Sequence, residues 1–316
     1  MKITGILPLA AAVAAAMPSL ATAANTTFSV LSNNVYFLSE VLYPNWGQRH
    51  RADLIAKSDY IKGHDVVVFQ EAFDSDPFGV LSGGIRSQYP YQTPQVGQSK
   101  SGWDSTSGSY SSTSMENGGV MIASKWPIIA KHQFIFADAC GADWFSNKGF
   151  AYVVLNVNGR KVHVFGTHMQ SNDSACTSGQ AVRYRASSLS AWRLYIDSRN
   201  IPANELVIMA GDFNIDHGTD EYFSALSRFN ARAADKYTGH PLTWDADTNS
   251  IAHYNYPEGP NEYLDYVFLD NKHSAGVKSM TQKALLVHSA PYVLKGATYN
   301  DYSDHYPVQA VIELEI

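Results

Sequence analysis

The sequence predicts a mixed α/β sandwich, in which buried strands alternate with helices and hairpins. Two apolar runs, 65–71 and 206–210, have the nearly unbroken hydrophobicity of strands that are covered on both faces. Residues 48–61 and 183–199 instead carry apolar side chains at helical spacing. An Asn158-Gly159 pair joins two further β-rich runs, and this dipeptide is the strongest short signal for a hairpin. Together these patterns indicate a core of strands with helices packed against it.

The first 23 residues have the features of a secretory signal peptide. Lys2 precedes a long apolar stretch, and Ala21-Thr22-Ala23 offers the small residues of a cleavage site. A membrane anchor is the alternative, but prolines interrupt the stretch and no stop-transfer flank follows. The mature chain, 24–316, is then expected to be one secreted, extracellular domain, because no low-complexity linker divides it.

Charge bears on which partners the chain can have. The formal net charge is −6, and it becomes −7 without the signal peptide, which contains Lys2 and no acidic residue. A nucleic-acid-binding protein needs a basic surface that displaces counterions from phosphates. No cluster of lysines and arginines provides one here, so nucleic acid is not an expected partner.

The chain contains two cysteines, Cys140 and Cys176. In a secreted chain such a pair usually forms a disulfide, and two free buried thiols are the less favoured alternative. We therefore expect a bridge that closes a loop of 37 residues, with both cysteines counted.

The remaining elements follow from the same patterns and from their boundaries. Lys62-Gly63 gives helix 48–61 a basic last turn and a glycine at its C-terminus. Basic residues likewise stand near the end of helix 183–199. In chain order we expect strands at 27–31, 65–71, 118–124, 148–157, 161–168, 206–210, 262–269 and 308–314, and a third helix at 220–229.

Polar side chains recur where these strands end. Asp212 and Asn214 follow the strand 206–210 on alternate positions and therefore face the same way, and Gly211 would let the backbone approach a ligand there. Each such residue has an ordinary alternative explanation, as a turn, a solvated edge or a core histidine. Carboxylate and amide oxygens are nevertheless ligands for Mg²⁺, and histidine exchanges protons near neutral pH. Their recurrence predicts metal-assisted phosphoryl chemistry at Asn34, Glu71, His168, Asp212, Asn214, Asp304 and His305.

A carboxylate within an apolar strand needs a partner. Asp265 lies among aromatic and apolar residues, where an unpaired charge is costly to bury. We therefore expect Asp265 to be paired or hydrogen-bonded.

Two sets of motifs carry a family resemblance over essentially the whole mature chain. The first set resembles the endonuclease/exonuclease/phosphatase superfamily, which has the deoxyribonuclease I-like fold: Asn34-Val-Tyr, Gln70-Glu71, Gly166-Thr-His168, Gly211-Asp-Phe-Asn214, Tyr263-Leu-Asp-Tyr266 and Ser303-Asp-His305. The second set is similar to secreted bacterial neutral sphingomyelinases (sphingomyelinase C): Leu42-Tyr-Pro-Asn-Trp-Gly47, Arg51-Ala-Asp-Leu-Ile55, Tyr237-Thr-Gly-His240, Thr243-Trp-Asp245, Thr248-Asn-Ser-Ile251 and residues 299–307.

The resemblance implies a four-layer α/β/β/α sandwich and the hydrolysis of sphingomyelin to ceramide and phosphocholine. It implies Mg²⁺ as the cofactor, with Mn²⁺ or Co²⁺ as possible substitutes. Glu71 would be the principal metal ligand, assisted by Asn34. Asp212 and Asn214 would hold a metal, the attacking water or a phosphate oxygen.

The resemblance also assigns the proton-transfer residues. His305 would be the general base, and His305 and Asp304 would both lie among the metal ligands. His168 would stabilise the phosphate charge or protonate the leaving group. Asp265 would orient the catalytic histidine.

This chain departs from the family pattern at two places. A second, edge metal site in the family has more acidic and amide ligands than Ser75 and Glu116-Asn117 offer here, so its occupancy is in doubt. The family's membrane-binding hairpin is also short in this chain. Tyr292 and Leu294 are the predicted membrane contacts, with packing into the core as an equally open alternative.

Three other functions compete with sphingomyelin hydrolysis. A phospholipase C of broader specificity would also act on phosphatidylcholine, since both lipids carry phosphocholine. A nuclease of the same fold is disfavoured by the negative charge. A membrane-binding module without catalysis is disfavoured because every central catalytic position is filled. A monomer that contacts sphingomyelin in a membrane surface is the expected form.

Overall fold

The computed structural model describes residues 27–44 and 46–315. The predicted signal peptide lies outside these residues. Among the described helices, none combines the length and the apolar character that a membrane span requires. Two seven-stranded sheets face each other, and helices cover their outer faces.

The elements are numbered here in chain order. They are β1 (Thr27–Phe37), α1 (Gln48–Lys57), β2 (Val66–Ala72), α2 (Ser75–Gly84), β3 (Tyr91–Gln92), β4 (Ser105–Gly108), β5 (Met121–Ser124), β6 (Ile128–Ile135), β7 (Gly149–Val157), β8 (Arg160–His168), α3 (Gln180–Ser198), β9 (Leu206–Asp212), α4 (Asp220–Phe229), β10 (Ala231–Arg232), β11 (Lys236–Gly239), α5 (Ser250–Asn255), β12 (Asp265–Asp270), β13 (Val277–Ala284), β14 (Tyr292–Leu294), β15 (Ala297–Tyr299) and β16 (Val308–Leu314). Two short 3₁₀ turns cover Gly141–Phe145 and Asn271–His273.

The strand order brings parallel neighbours to the centre of each sheet. One sheet has the order β11-β13-β16-β1-β2-β5-β3, and the other has the order β10-β12-β9-β8-β7-β6-β4. β1 runs parallel to β2, and β8 runs parallel to β9. Because the carboxyl ends of parallel strands meet at one edge, polar residues that follow these strands are collected there.

Both faces of the central strands are covered, which explains apolar runs such as 66–69 and 206–210. In β2, Val66 and Val68 face the other sheet, whereas Val67 and Phe69 pack on the helix side with Ile55 of α1. In the second sheet the outer layer is formed by α3 and α4, whose buried residues include Trp192 and Phe229. A strand that is covered on both faces has no polar face to show in the sequence.

The four-layer sandwich is confirmed, and most predicted elements are found within a few residues of their expected bounds. The helix at Ser75–Gly84 was not predicted, because a proline and three glycines give its sequence low helix propensity. Asp74 caps that helix by accepting from the backbone N–H of Asp76, and Leu81 is buried in the core. Tertiary packing therefore outweighs local propensity in this segment.

The predicted disulfide is confirmed, since Cys140 and Cys176 are bonded to each other. Their sequence separation of 36 residues means that the bridge closes a long loop, which is worth about 4 kcal/mol of chain entropy at most. The bridge fixes the start of the 3₁₀ turn Gly141–Phe145 against the segment that follows β8.

The two sheets are in tight contact near the strand ends. A Cβ atom on Gly166 of β8 would lie only 2.6 Å from Cγ1 of Val68 in β2. Gly166 is two residues before His168, and Val68 is three residues before Glu71. Glycine at this position therefore lets the two sheets bring their polar strand ends together.

We expect Gly166→Ala to lower the free energy of unfolding by about 1–3 kcal/mol, because the added methyl group overpacks the space between the sheets. Adding Val68→Ala removes the opposing methyl group. The double variant should therefore be more stable than the sum of the two single effects predicts. Urea unfolding of the four proteins measures this coupling. Simple additivity would show that the sheets are not in contact at this point.

Candidate active site

Strand register places the site residues side by side. In the second sheet, His168 at the end of β8 pairs with Asp212 at the end of β9, and Asp212 pairs with Asp265 at the start of β12. In the facing sheet, Asn34 of β1 pairs with the residue before Glu71. Residues that are far apart in sequence thus form one cluster between the sheets.

The side chain of Asn34 links the two sheets directly. Its Nδ2 donates to Oε1 of Glu71 at 2.9 Å and to Oδ2 of Asp212 at 3.1 Å. Its Oδ1 accepts from the backbone N–H of Tyr36 at 3.1 Å. In this geometry the amide of Asn34 holds two carboxylates together, while its predicted role as a metal ligand remains a prediction.

The backbone is strained beside the cluster. Tyr36, Glu71 and Asn214 have φ angles of 52°, 54° and 53°, a region that side chains with a Cβ rarely occupy. Each such residue costs about 1 kcal/mol or more, and such strain is typical of functional sites. By contrast, Gly211, expected to approach a ligand, instead approaches a neighbouring strand. A Cβ there would lie 2.1 Å from the carbonyl oxygen of Thr167.

Burial perturbs the two central carboxylates. Burial, with a further contribution from the charge of Asp304, raises the pKa of Glu71 to about 7. Burial and the charge of Asp265 raise the pKa of Asp212 to about 6. Raised pKa values mean that no nearby positive charge fully stabilises the ionised form of these two carboxylates. A bound cation would supply that charge.

The donor atoms fit a divalent cation. Among the described residues, two sets of three metal-binding side chains have donor atoms within 4.8 Å of one another: Glu71 with His168 and Asp212, and Asp212 with Asp265 and His305. Oδ1 of Asp265 and Nδ1 of His168 are buried without a hydrogen-bond partner in the part of the chain that is described. Oxygen-rich donors with unsatisfied polar atoms are suited to a hard cation and its ligands.

Asp265 and His305 form a pair. Oδ2 of Asp265 lies 2.8 Å from Nδ1 of His305, and Nε2 of the same ring lies 3.8 Å from Oδ2 of Asp212. Burial alone would lower the pKa of His305. The carboxylates of Asp265 and Asp212 outweigh burial and raise that pKa well above its ordinary value. The burial of Asp265 is thus compensated by the partner that its position in an apolar strand required.

His168 has a partner that sequence reasoning missed. The ammonium group of Lys148 lies 3.2 Å from Nε2 of His168 and donates to it, because an ammonium group has no acceptor. Lys148 also donates to the carbonyl oxygen of Met169 and pairs with Asp143 at 2.7 Å. Burial and then the charge of Lys148 lower the pKa of His168 well below its ordinary value, which favours the neutral ring.

The sequence did contain a signal for this lysine. Lys148 opens the long apolar run of β7, and it is buried together with Asp143. A charged residue at the edge of a buried strand needs a counter-charge, just as Asp265 does. The position of Lys148 in the sequence therefore indicates a buried acidic partner, as the position of Asp265 indicates a buried partner for that carboxylate.

Arg51 is a second buried cation, and it holds together backbone segments beside the site. The guanidinium of Arg51 is fully buried and donates to the carbonyl oxygens of Trp46, Val35, Tyr36 and Tyr302. These contacts tie the end of β1 to the segment that precedes Asp304. Sequence reasoning quoted Arg51 only as part of a motif.

Two of the predicted ligands lie at the margin of the cluster. Asn214 donates its backbone N–H to Oδ1 of Asp212 at 2.9 Å and its amide to the carbonyl oxygen of Met169. Asp304 is buried and accepts from the hydroxyl of Ser303 at 3.2 Å, but it belongs to neither set of close donor atoms. Their roles as metal ligands stay predictions.

The membrane contacts predicted at the short hairpin stay a prediction, and their side chains are only partly exposed. Tyr292 and Leu294 are half-buried and pack against the cluster of Trp46, Ile251 and Tyr299, and the hydroxyl of Tyr292 donates to a backbone carbonyl. Val293, between them, is 72% exposed. Alternation along a short hairpin turns the flanking side chains inward and the central one outward.

Asn117 lies at the position of the family's edge metal site, and its side-chain amide has a structural role. Asn117 donates its Nδ2 to the carbonyl oxygen of Phe73 at 2.8 Å, and its Oδ1 accepts from the N–H of Gly119. Both ends of the amide are therefore engaged in holding the loop before β5.

Comparison with known proteins gives consistent results. Residues 34–305 match the model of the endonuclease/exonuclease/phosphatase family. The chain is 47% identical over 292 residues to a phospholipase C of Staphylococcus aureus, covering 90% of this chain and 87% of that protein.

Two solved structures have the same fold at high sequence identity. Sphingomyelinase C from Streptomyces griseocarneus is 49% identical, with a TM-score of 0.88 over 90% of this chain and 99% of that chain. A double mutant of beta toxin from Staphylococcus aureus, solved with bound magnesium ions, is 46% identical, with a TM-score of 0.88 over 92% of this chain and 100% of that chain.

We expect Lys148→Met to reduce kcat, because His168 loses the donor that fixes its ring. The variant should also lose about 3–5 kcal/mol of unfolding free energy, since Asp143 is left as an uncompensated buried charge. Lys148→Met/Asp143→Asn should recover much of the stability and none of the activity. Removing a positive charge near Glu71 cannot weaken cation binding electrostatically, so the Mg²⁺ requirement should not rise. A normal kcat in Lys148→Met would contradict this role.

Mg²⁺ affinity should depend on pH. Protons compete with the ion for Glu71 and Asp212, whose pKa values are raised to about 7 and about 6. Affinity should therefore increase as the pH rises through this window, by up to about tenfold per pH unit for each proton that must leave, and level off above it. Calorimetric titration with Mg²⁺ between about pH 5 and pH 8 measures the effect. Affinity that does not change with pH would exclude these carboxylates as ligands.

Proposed function

We propose that this chain hydrolyses sphingomyelin to ceramide and phosphocholine. It belongs to the endonuclease/exonuclease/phosphatase family and, within that family, to the sphingomyelinase C proteins. The observation that supports this most directly is the arrangement of Glu71 and Asp212 around one amide, with the Asp265–His305 pair beside them. It provides a cation site and a proton acceptor at the same strand ends, as phosphodiester hydrolysis requires.

His305 is the proposed general base. Its Nδ1 faces Asp265 at 2.8 Å, so the carboxylate holds that nitrogen in its protonated form and leaves Nε2 on the side of Asp212. A bound cation would offset the charge of Asp212, one of the carboxylates that raise the pKa of His305, and would favour an unprotonated Nε2. An attacking water then gives its proton to Nε2 as its oxygen bonds to phosphorus. The bond between phosphorus and the ceramide oxygen breaks, that oxygen takes up a proton from solvent, and His305 releases to solvent the proton that it took. Asp265 acts by orienting the ring and by stabilising its charged form.

Glu71 and Asp212 are the proposed ligands of a divalent cation, with Asn34, Asn214 and Asp304 contributing around them. When bound, the cation neutralises charge on the phosphate group. Mg²⁺ is the proposed ion, in line with the magnesium ions bound to the related beta toxin mutant, and Mn²⁺ or Co²⁺ are proposed substitutes. The excess of buried carboxylates, which raises the pKa of Glu71 and of Asp212, supports this assignment.

His168 is proposed to act on the phosphate oxygens or the leaving group together with Lys148. The ammonium of Lys148 lies next to the ring of His168, and burial together with this charge lowers the pKa of the ring. Charge on the phosphate oxygens increases in the transition state, so a fixed donor and a nearby cation stabilise that state more than the ground state.

A phospholipase C that also accepts phosphatidylcholine is the second candidate. One relative, 47% identical, bears the name phospholipase C, and the two lipids share the phosphocholine group that the site would hold. A nuclease of the same fold is a weaker candidate, since the net charge of −6 opposes binding to a polyanion.

We also propose that residues 24–316 act as one secreted, extracellular domain after removal of residues 1–23. The enzyme is proposed to be a monomer that works on sphingomyelin at the surface of a membrane. No nucleic acid is expected as a partner. Mass spectrometry of the mature secreted protein would test the cleavage site.

We expect His305→Ala to remain folded, to bind Mg²⁺ and to lose at least ~10²-fold in turnover of sphingomyelin, the usual scale for a general base. Glu71→Gln is the matched comparison, and it should instead raise the Mg²⁺ concentration needed for activity. Near-normal turnover of His305→Ala at saturating Mg²⁺ would disprove the mechanism.

The substrate assignment has its own test. The purified protein is incubated with sphingomyelin, phosphatidylcholine and DNA, each with Mg²⁺ and with EDTA. Release of phosphocholine from sphingomyelin that EDTA abolishes is the expected result. Equal release from phosphatidylcholine would favour the broader phospholipase C, and cleavage of DNA alone would favour the nuclease.

A further inference from the structure

An exposed apolar surface lies outside the catalytic cluster. Met115, Trp144 and Phe145 are 79%, 68% and 53% exposed. The backbone N–H of Glu116 donates to the carbonyl oxygen of Phe145 at 3.0 Å, so Met115 lies beside the two aromatic residues. We call these three residues the Trp144 patch. A contiguous group of large exposed apolar side chains usually marks an interaction surface.

The Trp144 patch is connected to the catalytic residues by short contacts. Asp143 precedes Trp144, and its carboxylate lies 2.7 Å from the ammonium of Lys148, which lies 3.2 Å from His168. The other oxygen of Asp143 accepts from the backbone N–H of Ser171 at 2.8 Å. The turn that carries Trp144 outward therefore holds the adjacent Asp143 against Lys148, which itself contacts His168.

The turn is held in place by covalent and polar contacts that do not use its aromatic side chains. The disulfide at Cys140 fixes its start, and Asp173 accepts from the backbone N–H of Ala142 at 2.8 Å. Trp144 and Phe145 project from this support into solvent. Their exposure is thus not needed for the fold, since nothing in the fixed turn depends on their rings.

The charge around the patch identifies the kind of surface that it fits. A cleft of about 490 Å³ adjoins it and is lined by Ser111, Thr113, Phe136 and the patch itself; none of the residues that line this cleft is charged. The whole chain has a net charge of −6, which opposes docking on anionic lipids. Tryptophan, phenylalanine and methionine beside an uncharged cleft fit the interface of a zwitterionic phosphocholine bilayer, where amphipathic rings lie at the headgroup level.

We propose that the Trp144 patch is a membrane-docking surface, which inserts into a phosphocholine bilayer and sets the cleft against the headgroups. The proposal rests on the proposed function, because a scissile phosphate at the bilayer surface requires the rim of the site to meet lipid. The hairpin β14–β15 offers little area for this purpose, since Tyr292 and Leu294 pack inward. Docking therefore depends mainly on the turn that supports Lys148 and His168.

The test compares two double variants. Trp144→Ser/Phe145→Ser removes the aromatic part of the patch. Leu194→Ser/Phe223→Ser is the matched control, since these side chains are 70% and 60% exposed on α3 and α4. Binding to phosphatidylcholine–sphingomyelin vesicles is measured by co-sedimentation in EDTA, and hydrolysis is measured with Mg²⁺ on the same vesicles and on a monomeric phosphocholine ester.

The patch variant should bind vesicles at least roughly tenfold more weakly than the wild type, since two aromatic rings no longer leave water on docking. Vesicle hydrolysis should fall in parallel, whereas kcat/KM on the monomeric ester should stay the same. Trp144→Phe should restore much of the binding, and the control variant should behave like the wild type.

Three results would overturn the docking proposal. They are unchanged vesicle binding by the patch variant, an equal loss on the monomeric ester, and a wild-type dimer in sedimentation that the patch variant dissociates. Failure of the proposed function would look different. In that case the wild type would leave sphingomyelin intact in vesicles, while its binding to them would still depend on Trp144 and Phe145.

Discussion

The contact between Asn34 and the two carboxylates of Glu71 and Asp212 is the constraint on which the site depends. It joins the two sheets at their strand ends, and it holds two acids in a place where both are shielded from water. Buried carboxylates repel each other and lose hydration, which is why burial raises the pKa of each. Such an arrangement costs stability unless a cation or a histidine balances it. In this protein the groups that would balance the carboxylates, a bound cation and His305, are the same groups that are proposed to carry out catalysis.

The fold limits where this cluster can form. Gly166 allows the sheets to approach beside the strand ends, and three residues with positive φ angles adjoin the cluster. Rigid strands, and not loops, carry most of the polar groups. Their relative positions are therefore fixed by the packing of the inner core, and a site built on strands keeps its geometry without help from a mobile segment.

Two buried basic side chains, Lys148 and Arg51, lie beside the site. Lys148 reaches His168 from the start of β7 and is paired with Asp143, whereas Arg51 lies beneath the end of β1 and is surrounded by carbonyl oxygens. Each cation is buried and satisfied by the protein, so neither is free to neutralise the central carboxylates fully. The same turn that supplies Asp143 carries the exposed Trp144. A few short contacts therefore connect the exposed Trp144 patch to the catalytic residues.

The sequence by itself determined the layers of this protein and the polar ends of its strands. Runs such as 66–69 and 206–210 are apolar throughout because both faces of the strand are covered, and that pattern is local in the chain. Family motifs then pointed to Glu71, Asp212 and His305. Tertiary structure alone decided the pairing of Lys148 with His168 and the helix Ser75–Gly84. It also decided the inward packing of Tyr292. These features depend on contacts between distant segments, and no local periodicity encodes which distant side chain will lie within 3 Å of another.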